Sequence, residues 1–129
     1  AGVRGDGWLT YFYTPNDFAT DWRKVCTFAE EAGRDPSTLT SCNQIPIVVG
    51  PRSKVEGPMN EWLNTEWDFA KWSKSTPDSA IMGTPGECLE QIQAHVDAGV
   101  DRIIFVPYRY EMEQIQAIAR EVIPLLKSS

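Results

Sequence analysis

The sequence predicts an α/β domain built on parallel strands, on three observations. Strand-like apolar runs alternate with amphipathic helical stretches along the 129 residues. Two of those helices share one punctuation: a Thr-Pro opening at Thr14-Pro15 and Thr84-Pro85, and a closing glycine at Gly33 and Gly99. The run Ile103-Ile104-Phe105-Val106 is apolar on both faces, as a parallel strand is when helices cover it. Strands alternating with helices imply right-handed crossovers, and hence a parallel sheet.

Taken in order, the turn pair Asp6-Gly7 leads into an aromatic strand, Trp8 to Tyr13. The first helix follows, with Thr14 as cap, Pro15 at N1 and Asp17 at N3. Its stripe is Phe18, Trp22, Val25 and either Ala29 or Phe28. The turn Arg34-Asp35-Pro36-Ser37 separates it from a second strand over Leu39–Val49. Pro46 lies inside that strand and removes a ladder donor, which predicts a bulge or an effective start at Ile45. Gly50 to Lys54 reads as a loop with two positive charges. Residues 56–75 have helical period, with Met59, Trp62, Leu63, Trp67 and Ala70 on one stripe and Phe69 and Trp72 beside it.

After a break at Ser75–Ser79, the stretch Gly83–Tyr108 is one complete helix–turn–strand unit. Thr84 and Glu87 form a capping box, and Leu89, Ile92 and Val96 make the helix stripe. Pro107 ends the strand. The last helix runs from about Glu111 to Leu126 on Met112, Ile115, Ala119, Val122 and Leu126, with Pro124 marking a kink or an end. Only three strands are visible, which leaves two sheet edges for something else to cover.

Length allows one domain spanning 1–129, and 42% hydrophobic with 23% charged residues is ordinary globular composition. A net charge of −6 and a pI near 4.7 argue against a nucleic-acid-binding surface, which needs a clustered positive field. No apolar run approaches the ~18–20 residues that cross a bilayer, and no signal-peptide pattern is visible. Cys26, Cys42 and Cys88 are odd in number and unpaired in spacing, so they read as reduced, buried thiols of a cytoplasmic protein. The opening Ala1-Gly2-Val3-Arg4, with a strand almost at once, looks like a start inside a larger fold. His95 is the sole histidine; it has no catalytic partner at a suggestive spacing, and no metal constellation is visible.

Four motifs carry a family resemblance: Gly5-Asp6-Gly7-Trp8-Leu9, Glu30 to Pro36, Gly83-Thr84-Pro85-Gly86-Glu87, and Ala98 to Arg102 ahead of the apolar strand. In this order, across nearly the whole chain, they resemble the C-terminal part of luciferase-like flavin- or F420-dependent oxidoreductases. That family includes bacterial luciferase and alkanesulfonate monooxygenase. The resemblance implies a partial TIM (β/α)8 barrel, the three strands corresponding to barrel strands 6–8 and residues 55–80 to the family's variable insertion. It also implies F420 or FMN as the parent cofactor. Strands one to five, which in the family supply most groups around the reactive ring, have no counterpart here. No catalytic residue carries over, and the chain is expected to be inactive alone and to bind cofactor weakly or not at all by itself. Its expected partner is either the N-terminal half of the barrel or a second copy. The alternative is a non-catalytic α/β module that self-associates through its open edges or its Trp-rich helix.

On a (β/α)8 barrel the working face lies at the strand C-termini, with phosphate near the loops after strands seven and eight. Those loops hold Gly50, Arg52, Ser53 and Lys54, and Tyr108 and Arg109. An arginine fork and a lysine ammonium suit a phosphate or carboxylate; the alternative is solvated loop charges. Tyr11 and Tyr13 would line a pocket or pack in the barrel, and Trp62 and Trp67 would form a substrate wall or a helix core stripe.

Overall fold

The computed structural model describes Gly2, residues 4–66 and residues 79–127. Trp67, Trp72 and the second half of the predicted 56–75 helix lie outside the described residues. The elements are β1 (Gly7–Tyr11), α1 (Pro15–Glu31), β2 (Thr40–Val49), α2 (Arg52–Glu66), β3 (Ile81–Gly83), α3 (Pro85–Asp97) and β4 (Arg102–Pro107). A final helix, α4, is continuous through Met112–Ala117, Ile118–Val122 and Ile123–Lys127. Every strand pairing is parallel. β2 is central, with β1 and the short β3 on one edge and β4 on the other. β3 is a strand that the sequence reading did not include.

Pro46 does not interrupt β2, contrary to expectation. Even-numbered residues of β2 turn their backbone groups toward the β1/β3 edge: Gln44 O accepts from Phe12 N at 2.8 Å, and Gly50 N donates to Gly83 O at 2.8 Å. Pairing with β1 ends at Gln44 and pairing with β3 begins at Ile47. The missing donor of Pro46 therefore falls in the gap between two short strands, where no ladder bond is lost.

The two sides of the sheet are covered differently. Ile45, Ile47 and Val49 of β2 and Ile81 of β3 pack with Cys88 and Ile92 of α3 and Ile118 and Val122 of α4. Trp8 of β1 joins that flank through Phe18 and Trp22 of α1. On the opposite side Val48, Met82 and Val106 meet Met59, Trp62 and Leu63 of α2, but only at the C-terminal ends of the strands. Burial on this scale is worth about 1.5–3 kcal/mol per large apolar side chain before entropy is counted.

The helix ends behave as their sequences dictate. Asp17 N donates to Thr14 Oγ1 at 3.2 Å, the Thr84–Glu87 capping box is complete, and Gly33 and Gly99 have φ of +76° and +110°. The stripes need correction. In α1, Ala29 is buried and Phe28 exposed. In α3 the buried face is Cys88, Ile92 and His95, with Val96 outside it. In α4, Ile118 and Val122 are buried, while Met112 and Ile115 are exposed.

Pro124 does not end α4. The turn before it is a π turn, with Ile123 N donating to Ile118 O. Widening the turn moves the pyrrolidine ring off the carbonyl it would otherwise strike and absorbs its lost donor.

Candidate functional site

The strand C-termini gather at one rim, and the backbone is strained there. Phe12, immediately after β1, and Arg109 and Tyr110, after β4, hold positive φ of 58°, 48° and 53° without being glycine. Left-handed backbone at such residues costs on the order of 1–3 kcal/mol and concentrates at functional sites.

Arg52, Ser53 and Lys54 do not form a loop. They are the exposed first turn of α2, entered through Gly50, whose φ is +153°, and Pro51. No acidic residue stands in that turn. Two cations at the positive end of a helix dipole are unfavourable for the helix and favourable for an anion. Arg52 Nε lies 3.4 Å from Glu56 Oε2, a pair half-exposed on both sides. The Glu87 carboxyl is held below its ordinary value, first by the Thr84 backbone N–H, then by the Thr84 hydroxyl, and least by the charge of Arg52. Arg52 therefore sits toward the start of α3, where the capping box occupies Thr84 and Glu87.

Tyr108 and Arg109 stand at the other part of the rim. Arg109 stacks over the Tyr108 ring at 5.6 Å. Trp62, 3% exposed, meets Tyr108 and Tyr110 edge-on at 5.6 and 6.2 Å. The structure thus joins Trp62, Tyr108 and Arg109 in one aromatic–cationic cluster, and it pairs Arg52 with Glu56.

Tyr11 and Tyr13 part company. Tyr11 is 56% exposed, on the sheet face that α2 leaves open. Tyr13 turns to the helical flank, edge-on to Trp8 at 5.8 Å, and burial, with Asp21 adding to it, raises its phenol pKa. Asn43 holds this corner from below: its amide accepts from Thr10 Oγ1 at 2.8 Å and donates to Tyr13 O at 3.0 Å.

Two features escaped sequence reasoning. One is an open groove of about 660 Å3 on the sheet face away from α1, α3 and α4, lined by Leu9, Cys42, Arg102 and Ile104 among others. It requires the strand register, which no motif encodes. The other is the burial of His95, which is 2% exposed. Its Nδ1 has no hydrogen-bond partner among the described residues, and burial lowers its pKa from 6.5 to about 4 against a smaller opposing hydrogen bond with the Ser79 backbone. No group of three or more His, Cys, Asp or Glu is placed to hold a metal among the described residues. No described helix is long and apolar enough to cross a membrane.

Solved structures share this architecture. An F420-dependent secondary alcohol dehydrogenase, solved with an F420-acetone adduct, aligns with a TM-score of 0.76 at 22% identity, covering 96% of this chain and 44% of its own. The coenzyme F420-dependent tetrahydromethanopterin reductase of Methanopyrus kandleri aligns at 0.69 and 18% identity, covering 97% of this chain and 46% of its own. A long-chain alkane monooxygenase aligns at 0.71 and 16% identity, over 99% of this chain and 38% of its own. No protein-family model matches the chain, and no curated protein sequence matches it. The chain has a partial luciferase-like barrel fold and spans less than half the length of these structures.

Proposed function

We propose that the chain forms part of the cofactor and substrate rim of a luciferase-like oxidoreductase that uses F420 or FMN, and that it is inactive by itself. One observation carries this reading: a fold shared, over nearly the whole chain, with enzymes named for F420 and with monooxygenases. The cationic first turn of α2 is chemically suited to a cofactor phosphate. Arg52 and Lys54 supply charge, Ser53 a hydroxyl, and Gly50 lets the backbone come close. Tyr108, Arg109 and Trp62 form an aromatic wall with one cation, and Tyr11 lies on the open face beneath. A bound flavin or deazaflavin supplies the hydride or oxygen chemistry; the protein binds, orients and excludes water. Tyr13, on the helical flank, positions β1 in this reading.

Pyrophosphate titration followed by amide chemical shifts tests it. Shifts should concentrate at Arg52, Ser53 and Lys54 and disappear in Arg52→Ala/Lys54→Ala. Silence at that turn removes the phosphate role. Tight binding of F420 or FMN by this chain in isolation contradicts the claim that it needs the rest of a barrel.

A second reading, a non-catalytic module that self-associates, is favoured by the exposure of Leu9, Tyr11 and Ile104 on one sheet face. A stable dimer without cofactor in sedimentation supports it.

A further inference from the structure

We infer that Gln114 is a positioning residue for the cationic turn at the start of α2. Its side-chain amide fixes the end of β2 from which Arg52, Ser53 and Lys54 project, and so joins the part of the rim after β2 to the part after β4. The inference deepens the functional reading and rests on it only for the anion that the turn receives.

Val49 is the last residue of β2, and it outruns its neighbour, because pairing with β4 ends at Ile47 opposite Pro107. Val49 is 8% exposed, so an unmet backbone group there would be costly. Gln114 meets both groups. Val49 N donates to Gln114 Oε1 at 2.8 Å, and Gln114 Nε2 donates to Val49 O at 3.0 Å. A carboxamide carries a donor and an acceptor side by side, so it reproduces two rungs of a strand ladder. On the other side of the strand end, Gly50 N donates to Gly83 O at 2.8 Å. Arg52 opens α2 three residues after Val49. α1 and α3 begin on the hydroxyls of Thr14 and Thr84, whereas α2 is entered through Gly50-Pro51, which has no side-chain oxygen to cap it. The direction of its first turn therefore depends on the strand end that Gln114 holds.

The path from β4 to Gln114 is the strained part of the rim. Arg109 and Tyr110, with φ of 48° and 53°, are the central residues of a turn that Glu111 N closes by donating to Tyr108 O at 3.1 Å. Positive φ at both central positions ordinarily calls for glycine, asparagine or aspartate. Gln114 N then donates to Glu111 O at 3.0 Å in the first turn of α4. Strain of this kind persists where the surroundings over-determine it, and the double bond to Val49 is such a surrounding. The same turn sets Arg109 over the Tyr108 ring. One amide thus stands between the two cationic parts of the rim.

Gln91 is an internal comparison. Met82 N donates to Gln91 Oε1 at 3.1 Å, and Gln91 Nε2 donates to Met82 O at 2.6 Å. Met82 is buried as well, at 4%. The helix that follows it starts on the Thr84–Glu87 capping box, which fixes the first turn of α3 without Gln91. The two glutamines are alike as bonds and unlike in what depends on them.

The test measures backbone order parameters and pyrophosphate affinity on the 129-residue chain as wild type, Gln114→Met and Gln91→Met. Methionine keeps the length and gives up the amide. Both variants should lower the urea midpoint. In Gln114→Met alone, order parameters at Arg52, Ser53 and Lys54 should fall from about 0.85 to below about 0.6. The pyrophosphate Kd read at those amides should rise at least about fivefold there and stay within about twofold of wild type in Gln91→Met, because a loosened site loses its preorganisation. Should Gln114→Met fail to fold, Gln114→Asn replaces it, with an uncharged amide one methylene too short to span both groups of Val49. A cationic turn that stays ordered in the Gln114 variant, that loosens equally in Gln91→Met, or that loosens while pyrophosphate binds as in wild type, overturns the inference. A turn that loosens only in the Gln114 variant, in a protein whose wild type takes up no pyrophosphate there, keeps the positioning role and removes the phosphate role of the proposed function.

Discussion

Replacing His95 by leucine should make the protein's stability less sensitive to mild acid. The imidazole is 2% exposed, and burial holds its pKa near 4 instead of 6.5. A histidine depressed in the folded state contributes stability that is fully present above the unfolded value of 6.5 and is lost as pH falls toward 4. At about 1.4 kcal/mol per pH unit, the whole loss is about 3 kcal/mol, of which about 2 kcal/mol has gone by pH 5. His95 is the sole histidine, so no other imidazole titrates in this window. Urea denaturation at pH 7.5 and pH 5 is the assay, run on the wild type and on His95→Leu. The wild type should lose about 2 kcal/mol more than the variant between the two conditions. Equal losses, or an imidazole proton resonance titrating near 6.5, would refute the reasoning by placing the ring in water.

Asn43→Leu should cost about 1–3 kcal/mol in urea denaturation, because it removes the amide that donates to the Tyr13 carbonyl and leaves the Thr10 hydroxyl only its 3.2 Å bond to Cys42 O; a loss below about 0.5 kcal/mol would mean that water reaches that corner. Gly99→Ala should lower stability by about 1–2 kcal/mol, since φ is +110° and the new Cβ would stand 2.9 Å from Trp22 Cδ1; an unchanged midpoint would show that the α3 terminus relaxes freely.

The helices were legible where local chemistry decides them. Thr14, Thr84, Gly33 and Gly99 mark ends that depend on one side chain or one backbone angle, and each end lies where the residues put it. What failed depends on neighbours. Pro46 looks like a strand breaker until β1 and β3 are known to stop on either side of it. Val96 looks like core until α3 is rotated so that Cys88, Ile92 and His95 face the sheet. Arg52 to Lys54 look like loop because Gly50-Pro51 precedes them, yet that pair is also a helix entrance.

The site was legible only in part, for the same reason. Composition could place cations after β2 and β4. It could not show that Arg109 lies with Tyr108 and Trp62 while Arg52 pairs with Glu56. The groove of Leu9, Cys42, Arg102 and Ile104 was hidden because an apolar strand reads alike whether or not its second face is covered.

Co-directional strands in a fixed register make the barrel arc, and interstrand nuclear Overhauser contacts measure them directly. Contacts should link Leu9 with Cys42 and Tyr11 with Gln44 on one edge, and Cys42 with Arg102 and Gln44 with Ile104 on the other, residue numbers rising together. Close Hα–Hα pairs in which one number rises as the other falls would show antiparallel neighbours and contradict the barrel arc.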